Sequence, residues 1–268
     1  MRSKRACRVT GGYRIAFVGL SGRRMLIVIR VTSIVLLSLC SATAWANSVK
    51  PVNEVGGRLQ ETHVRPSQHE VAEGKLFHAI WSHDLKAAQG ILDAGLNPDY
   101  IFAESDTSPL VEAIAERQPK IIALLLTHGA SVNFGEETGL VPLAVAAWYD
   151  DADTVSELLK RGAKVDALDE DGYTPLLQAA SHAEGVGVVK LLLASGADAK
   201  KTGAKDGATA LMLAASRVNV EAVRFFLKFG LDPCARDNEG MTASGYVNSL
   251  VNPSGGKEIR RILDAPCK

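Results

Sequence analysis

No Asp or Glu occurs in the first 46 residues, although the 268-residue chain holds 30 of them against 30 Lys and Arg. Eight basic residues fall in that same stretch, so the formal charge of zero hides two unlike parts. Beyond residue 46 stand 22 basic and 30 acidic residues, a net of −8. A surface of that sign disfavours nucleic acid and anionic lipid and suits a partner with a basic patch. Signatures of chemistry are missing as well. There is no Gly-x-Ser-x-Gly elbow. Ser254-Gly255-Gly256-Lys257 is a poor phosphate loop, with Val251 where its first glycine belongs and Glu258 where Ser or Thr should hold magnesium. His78 and His83 flank Trp81 without the carboxylate spacing of a metal cage, and Asp150, Asp151 and Asp153 lack the glycine and distal Glu of a calcium loop. The three acids suit the start of a helix instead. The expectation is a non-enzymatic chain with no catalytic residue, no cofactor and no metal.

What is present begins with a leader. Arg23, Arg24 and Arg30 precede an apolar stretch from Val31 to Cys40, followed by the small-x-small sequence Ala44-Trp45-Ala46. A positive flank, a short apolar core and such an ending make a secretory signal, with the cut expected before Asn47. An N-terminal anchor is the competing reading, but the run is short of the ~20 residues a span needs. Lipidation at Cys40 is disfavoured by Leu39, too large for the position before the cysteine. Met25 offers an alternative start, which gives a compact signal from Met25 to Ala46. Export leaves Cys234 and Cys267 in the mature chain, where an oxidising compartment lets them pair. Two free thiols are the alternative, since a bridge needs Cα atoms within about 7 Å. Residues 47–70 are polar and unpatterned, and read as a linker or N-terminal arm.

The rest repeats itself. Thr/Ser-Pro-Leu or its relative recurs at Pro109, Pro142, Pro175 and Ala210, in steps of 33, 33 and 35 residues. A second marker recurs at Gly95, Gly129, Gly162, Gly196 and Gly230, once ahead of Pro109 and once after each of the four positions. Thr-Pro-Leu opens a short helix, because Thr can cap it and the missing N–H of Pro costs nothing there. Ala-Ala keeps that helix thin. A second helix turns a Val/Leu face to the core at 3.6 spacing, and glycine ends it in the left-handed conformation. Asp171-Gly172 and Asp206-Gly207 are hairpin turns.

Thr-Pro-Leu-x-x-Ala-Ala with Leu-Leu-x-x-Gly-Ala-Asp, at a period near 33, resembles the ankyrin family. The resemblance covers about Val71 to Lys268 and implies an all-α solenoid of helix pairs with β-hairpin loops, about six repeats. Their expected spans are 71–100, 104–133, 137–166, 170–200 and 205–234, with a capping repeat over 237–268. In that last unit Asn252-Pro253-Ser254-Gly255-Gly256 is expected to loosen before a short helix from Lys257 to Asp264. A Cys234–Cys267 bridge would staple it.

The resemblance further implies binding through hairpin tips and the groove side of the first helices. The tip positions include Glu137, Glu170, Asp171 and Tyr173; the helix positions include Trp81, Glu112, Trp148, Tyr149, Gln178, His182 and Arg217. Aromatics dominate binding hot spots, and only 6% of this chain is aromatic. Trp81, Trp148, Tyr149 and Tyr173 are therefore the expected anchors, inside a rim of acids. Trp148 and Tyr149 packing between units is the competing reading. An exported chain of this kind resembles the periplasmic ankyrin proteins of Gram-negative bacteria. Some of those are immunity proteins against toxins such as type VI lipase effectors, and others accompany catalases and protect against peroxide. The expectation is a periplasmic protein that occludes a toxic enzyme such as a phospholipase; peroxide protection or an envelope scaffold is the alternative.

Overall fold

The computed structural model describes residues 68–102, 106–135, 138–182, 185–247 and 253–264. The expected leader, most of the arm, Glu137 and Cys267 lie outside the described residues. Chain contacts separate Met1–Val64 from Arg65–Lys268, and all described residues belong to the second unit. They form eleven helices, in five antiparallel pairs and a closing helix. The pairs are α1 (Gln68–Trp81) with α2 (Leu85–Asp93), α3 (Pro109–Ala115) with α4 (Pro119–Thr127), and α5 (Pro142–Trp148) with α6 (Ala152–Lys160). Next come α7 (Pro175–His182) with α8 (Gly187–Ala194), then α9 (Ala210–Ser216) with α10 (Val220–Phe229), and last α11 (Pro253–Asp264).

The first helices are capped as the sequence predicts. Ser108, Thr174 and Thr209 each accept a backbone N–H from three residues on, at 3.2–3.3 Å. Val141 has no such oxygen, and Pro142 alone sets the start of α5. The left-handed glycines are at their expected places, from Gly95 (φ 92°) to Gly230 (φ 98°). The turns inside the pairs are less legible. His83, Arg117, Asp150 and Val218 all take φ between 53° and 57°. This lets each N–H, and that of the next residue, reach carbonyls of the preceding helix, as Arg117 does to Ile114 and Gln118 to Ala113, both at 3.0 Å. Asp84, Asp151 and Asn219 then cap the second helices. Gln118 instead sends its side chain back to the Ile80 carbonyl of α1, tying two repeats together.

One continuous core runs through the stack. Leu76, Leu110, Leu143, Leu176 and Leu211 are buried in successive repeats, and Ala113, Ala146, Ala147, Ala179, Ala180, Ala214 and Ala215 are buried where first helices face one another. Each buried leucine stabilises by about 1.5–3 kcal/mol.

Two expectations are corrected. Among the described residues the hairpins contain no strand, only an isolated bridge between Phe102 and Thr107. The tip at Asp169 closes on a backbone bond from its N–H to Tyr173 O at 3.0 Å, and the next tip leans on it through another, Ala204 N–H to Gly172 O at 2.9 Å. The sixth unit also differs. Residues 242–247 make turns in place of a first helix, whereas α11 begins at Pro253 and includes Ser254, Gly255 and Gly256. Pro tolerates the first turn of a helix, and both glycines are buried, so their lack of a side chain serves close packing.

Gly172 carries two demands at once. Its φ is 79°, and a Cβ there would meet the Ala204 Cβ of the next tip at 2.7 Å. Gly230 has φ 98° but open space around it. Gly230→Ala should cost about 1 kcal/mol from backbone strain alone, and Gly172→Ala about 2–4 kcal/mol from strain plus overlap. Urea unfolding of the two variants checks this; equal costs would mean that the tips do not press on one another.

Candidate functional site

The first helices place their last turns and the following residue along one face of the stack, and the expected partner residues fall there or at the tips. They do not share one environment. Glu112, Tyr173 and Gln178 are buried, at 7%, 4% and 9% exposure, where the sequence placed them among surface contacts. Each has folded into a junction between repeats or within its own tip. The Glu112 carboxylate accepts the Trp81 indole N–H and the Thr107 hydroxyl, both at 3.1 Å. The Tyr173 hydroxyl donates to Asp206 of the next tip. The Gln178 amide donates to Asp169 of its own tip, which also accepts the backbone N–H groups of Asp171 and Tyr173. A side chain bound so fully inside the fold has little left to offer outside it.

The half-exposed rings form a row. Trp81 ends α1, held by Glu112 of the next repeat. Tyr149 follows α5, and the Arg117 guanidinium from the previous repeat lies 5.5 Å from its ring centre while donating to its backbone carbonyl. Trp148, one residue earlier, stacks on His182 of α7 with 28° between the ring planes. His182 Nδ1 in turn lies 2.9 Å from the Ser181 hydroxyl, which donates to the Gln178 carbonyl. Glu116 stands in this row beside His83, at 3.9 Å. Glu170 and Arg217 are exposed and Asp171 half-buried; Lys205 reaches over from the next tip, donating to the Glu170 carbonyl and lying 4.0 Å from Asp171. Arg117 was not legible as a member of this face. Its signal would have been its place immediately after the helix end, in the turn that tilts toward the following repeat.

Burial sets the electrostatics. Desolvation raises the Glu112 carboxyl above the ordinary range, outweighing the hydrogen bonds from Thr107 and Trp81 that lower it, and nearby Glu116 adds to the rise. Desolvation likewise raises Asp169 and the Tyr149 phenol, the latter helped by the charge of Glu116. One acid of the expected face is thus enclosed within the fold and does not face outward.

Among the described residues no three His, Cys, Asp or Glu side chains are placed to hold a metal. Two open grooves of about 400 and 530 Å³ lie one beside Ser156, Lys160 and Leu191 and the other beside Val71, Ile91 and Leu96. Neither gathers an acid and a base. No described helix is long and apolar enough to cross a membrane. Cys234 is disulfide-bonded; Cys267, its expected partner, lies outside the described residues.

A family model for Ankyrin repeats (3 copies) matches residues 76–169, 110–202 and 176–246, which together span most of the described repeats. A search of curated proteins gives no match to the chain.

The raised carboxyl of Glu112 has a consequence for stability. The folded state keeps that proton to higher pH than the unfolded chain does, so this group's contribution is fullest in acid. It is lost as pH rises from the ordinary carboxylate range through the raised value. Glu112→Gln stays neutral and still offers the indole an acceptor. Denaturant midpoints of the two proteins should nearly coincide below pH 4 and separate in favour of the variant toward pH 8. A gap that stays constant across that range would mean the carboxylate is not desolvated.

Proposed function

The chain belongs to the ankyrin-repeat family, and from that premise we propose that it acts by binding another protein and blocking it. Ankyrin repeats are modules of protein–protein interaction and in general do no chemistry themselves. The observation that carries the reading is a set of three half-exposed rings at the ends of first helices, Trp81 in the first repeat and Trp148 and Tyr149 in the third. Rigid aromatics with a polar edge are the side chains that most often anchor protein interfaces. Glu116, Glu170 and Asp171 flank them and favour a partner with a basic patch.

The site of action is the periplasm, after cleavage before Asn47. The leader pattern supports export, and a disulfide at Cys234 suits an oxidising compartment. Cys267 is the partner, closing the last unit. In that setting the chain serves as an immunity or inhibitor protein that covers a toxic effector such as a phospholipase.

The exported chain, tagged at its C-terminus, should recover its target from a periplasmic extract, while the Trp148→Ala/Tyr149→Ala pair should lose it. Two desolvated aromatic anchors amount to about 2–4 kcal/mol, or 30- to 1000-fold in affinity. Thermal unfolding of the double variant should remain cooperative. Equal recovery by both proteins would remove the rings from the contact, and recovery of nothing by either would sink the binder reading. Sequencing the exported chain should find Asn47 at its N-terminus.

A further inference from the structure

Each ring of the proposed contact row is gripped by a side chain from a different repeat. Trp81 belongs to the first repeat and is held by Glu112 of the second, through an indole N–H bond of 3.1 Å to a carboxylate only 7% exposed. That carboxylate is itself fixed by the Thr107 hydroxyl from the second tip. Tyr149 belongs to the third repeat and is held by Arg117 of the second, which both covers its ring and caps its carbonyl. Arg117 is aimed there by its own left-handed backbone, φ 53°. Trp148, also of the third repeat, is held by stacking on His182 of the fourth.

We propose that Glu112, Arg117 and His182 are positioning residues that pre-set the aromatic face across repeat boundaries, so that the rings meet their partner already in their bound orientation. The inference rests on the reading of Trp81, Trp148 and Tyr149 as contact residues. A hydrogen bond, a cation over a ring and a ring stack are three different forces, and each ends on one of the same three rings. Packing alone would not require this: the core of the stack is closed by leucine and alanine well inside the row. The benefit is entropic. A side chain that is free before binding loses rotamer freedom when it binds, whereas a ring fixed by folding has none left to lose. Glu112 is buried and does not touch the partner; it acts through Trp81. Arg117 is exposed, and it acts through Tyr149 whether or not it also meets the partner.

The test needs no partner. The full chain labelled with 5-fluorotryptophan and 3-fluorotyrosine gives one fluorine resonance per ring, assigned by Trp81→Phe, Trp148→Phe and Tyr149→Phe. Glu112→Ala should shift and broaden the Trp81 signal and leave Trp148 in place, and Glu112→Gln should restore it. Loss of the bond should also speed exchange of the Trp81 indole proton about tenfold, the equivalent of ~1.4 kcal/mol. His182→Ala should move Trp148 alone, and Arg117→Ala should move Tyr149 alone. Where Glu112→Ala no longer melts cooperatively, the exposed Arg117 carries the test. Unchanged Trp81, Trp148 and Tyr149 signals in the three alanine variants would overturn the proposal. Shifts as expected, with target recovery unaffected by Trp148→Ala/Tyr149→Ala, would keep the positioning and reject the contact role on which it was built.

Discussion

The whole stack depends on how closely the first helices of adjacent repeats approach. No pair of short helices can bury its own apolar face, so each must lend a face to the next. Alanines at Ala113, Ala146, Ala147, Ala179, Ala180, Ala214 and Ala215, all buried, make that approach possible. Larger side chains there would push the repeats apart and open the leucine row behind them. The same closeness lets the Ala204 N–H reach Gly172 and the Asn238 N–H reach Asp206, so the tips are tied one to the next. It also brings rings and their holders in different repeats within reach. The small residue at the junction thus governs core, tips and outer face together.

Tips that look alike are not electrostatically alike. Asp169 and Asp237 hold the same place in their turns, each accepting two backbone N–H groups of the following residues. Desolvation wins at Asp169 and raises its carboxyl despite the bond from Gln178, with Asp171 nearby adding to the rise. At Asp237 desolvation is outweighed by the Tyr246 hydroxyl and by backbone N–H groups, and the carboxyl ends below its ordinary value. The signs follow. Asp237 supports the fold above the ordinary carboxylate range and ceases to as pH falls, while ionisation of Asp169 opposes folding as pH rises. The C-terminal tip is therefore stabilised at neutral pH by the group that burdens an interior one. This suits a unit whose first helix has been replaced by turns.

The repeats were legible because their physics is local. A proline at the first helical position and a glycine that must take positive φ are demands of single residues, and their spacing exposes the period. The left-handed turns at His83, Arg117, Asp150 and Val218 were not legible, because a Val or Arg at such a place carries no mark of it. The start of α11 was misread for the converse reason: two glycines suggest a loop until burial shows what their small size serves. The candidate face was legible as a set of positions and not as a set of environments. Register places Glu112 on the groove side of α3, but whether its carboxylate faces water or Trp81 depends on a residue 31 positions earlier. A hint was present in Leu110-Val111-Glu112-Ala113-Ile114, where one acid interrupts an apolar run. An acid so placed needs a donor, and a tryptophan at the end of the neighbouring first helix is one.

A solenoid offers a wide surface and few large side chains to make use of it. With aromatics at 6% of the chain, affinity cannot come from their number. It can come from how little freedom each has left to lose. Within one repeat the outer end of a first helix has few neighbours, so a ring there would swing between rotamers. A neighbouring repeat supplies what is missing, whether a carboxylate, a guanidinium or an imidazole, but only if the junction is tight enough to deliver it. Tight junctions and fixed rings are then one property seen from two sides. The alanines that close the core also decide which side chain arrives beside each ring. The outer face is in this sense a product of the junctions, and its shape is set by residues that no partner touches.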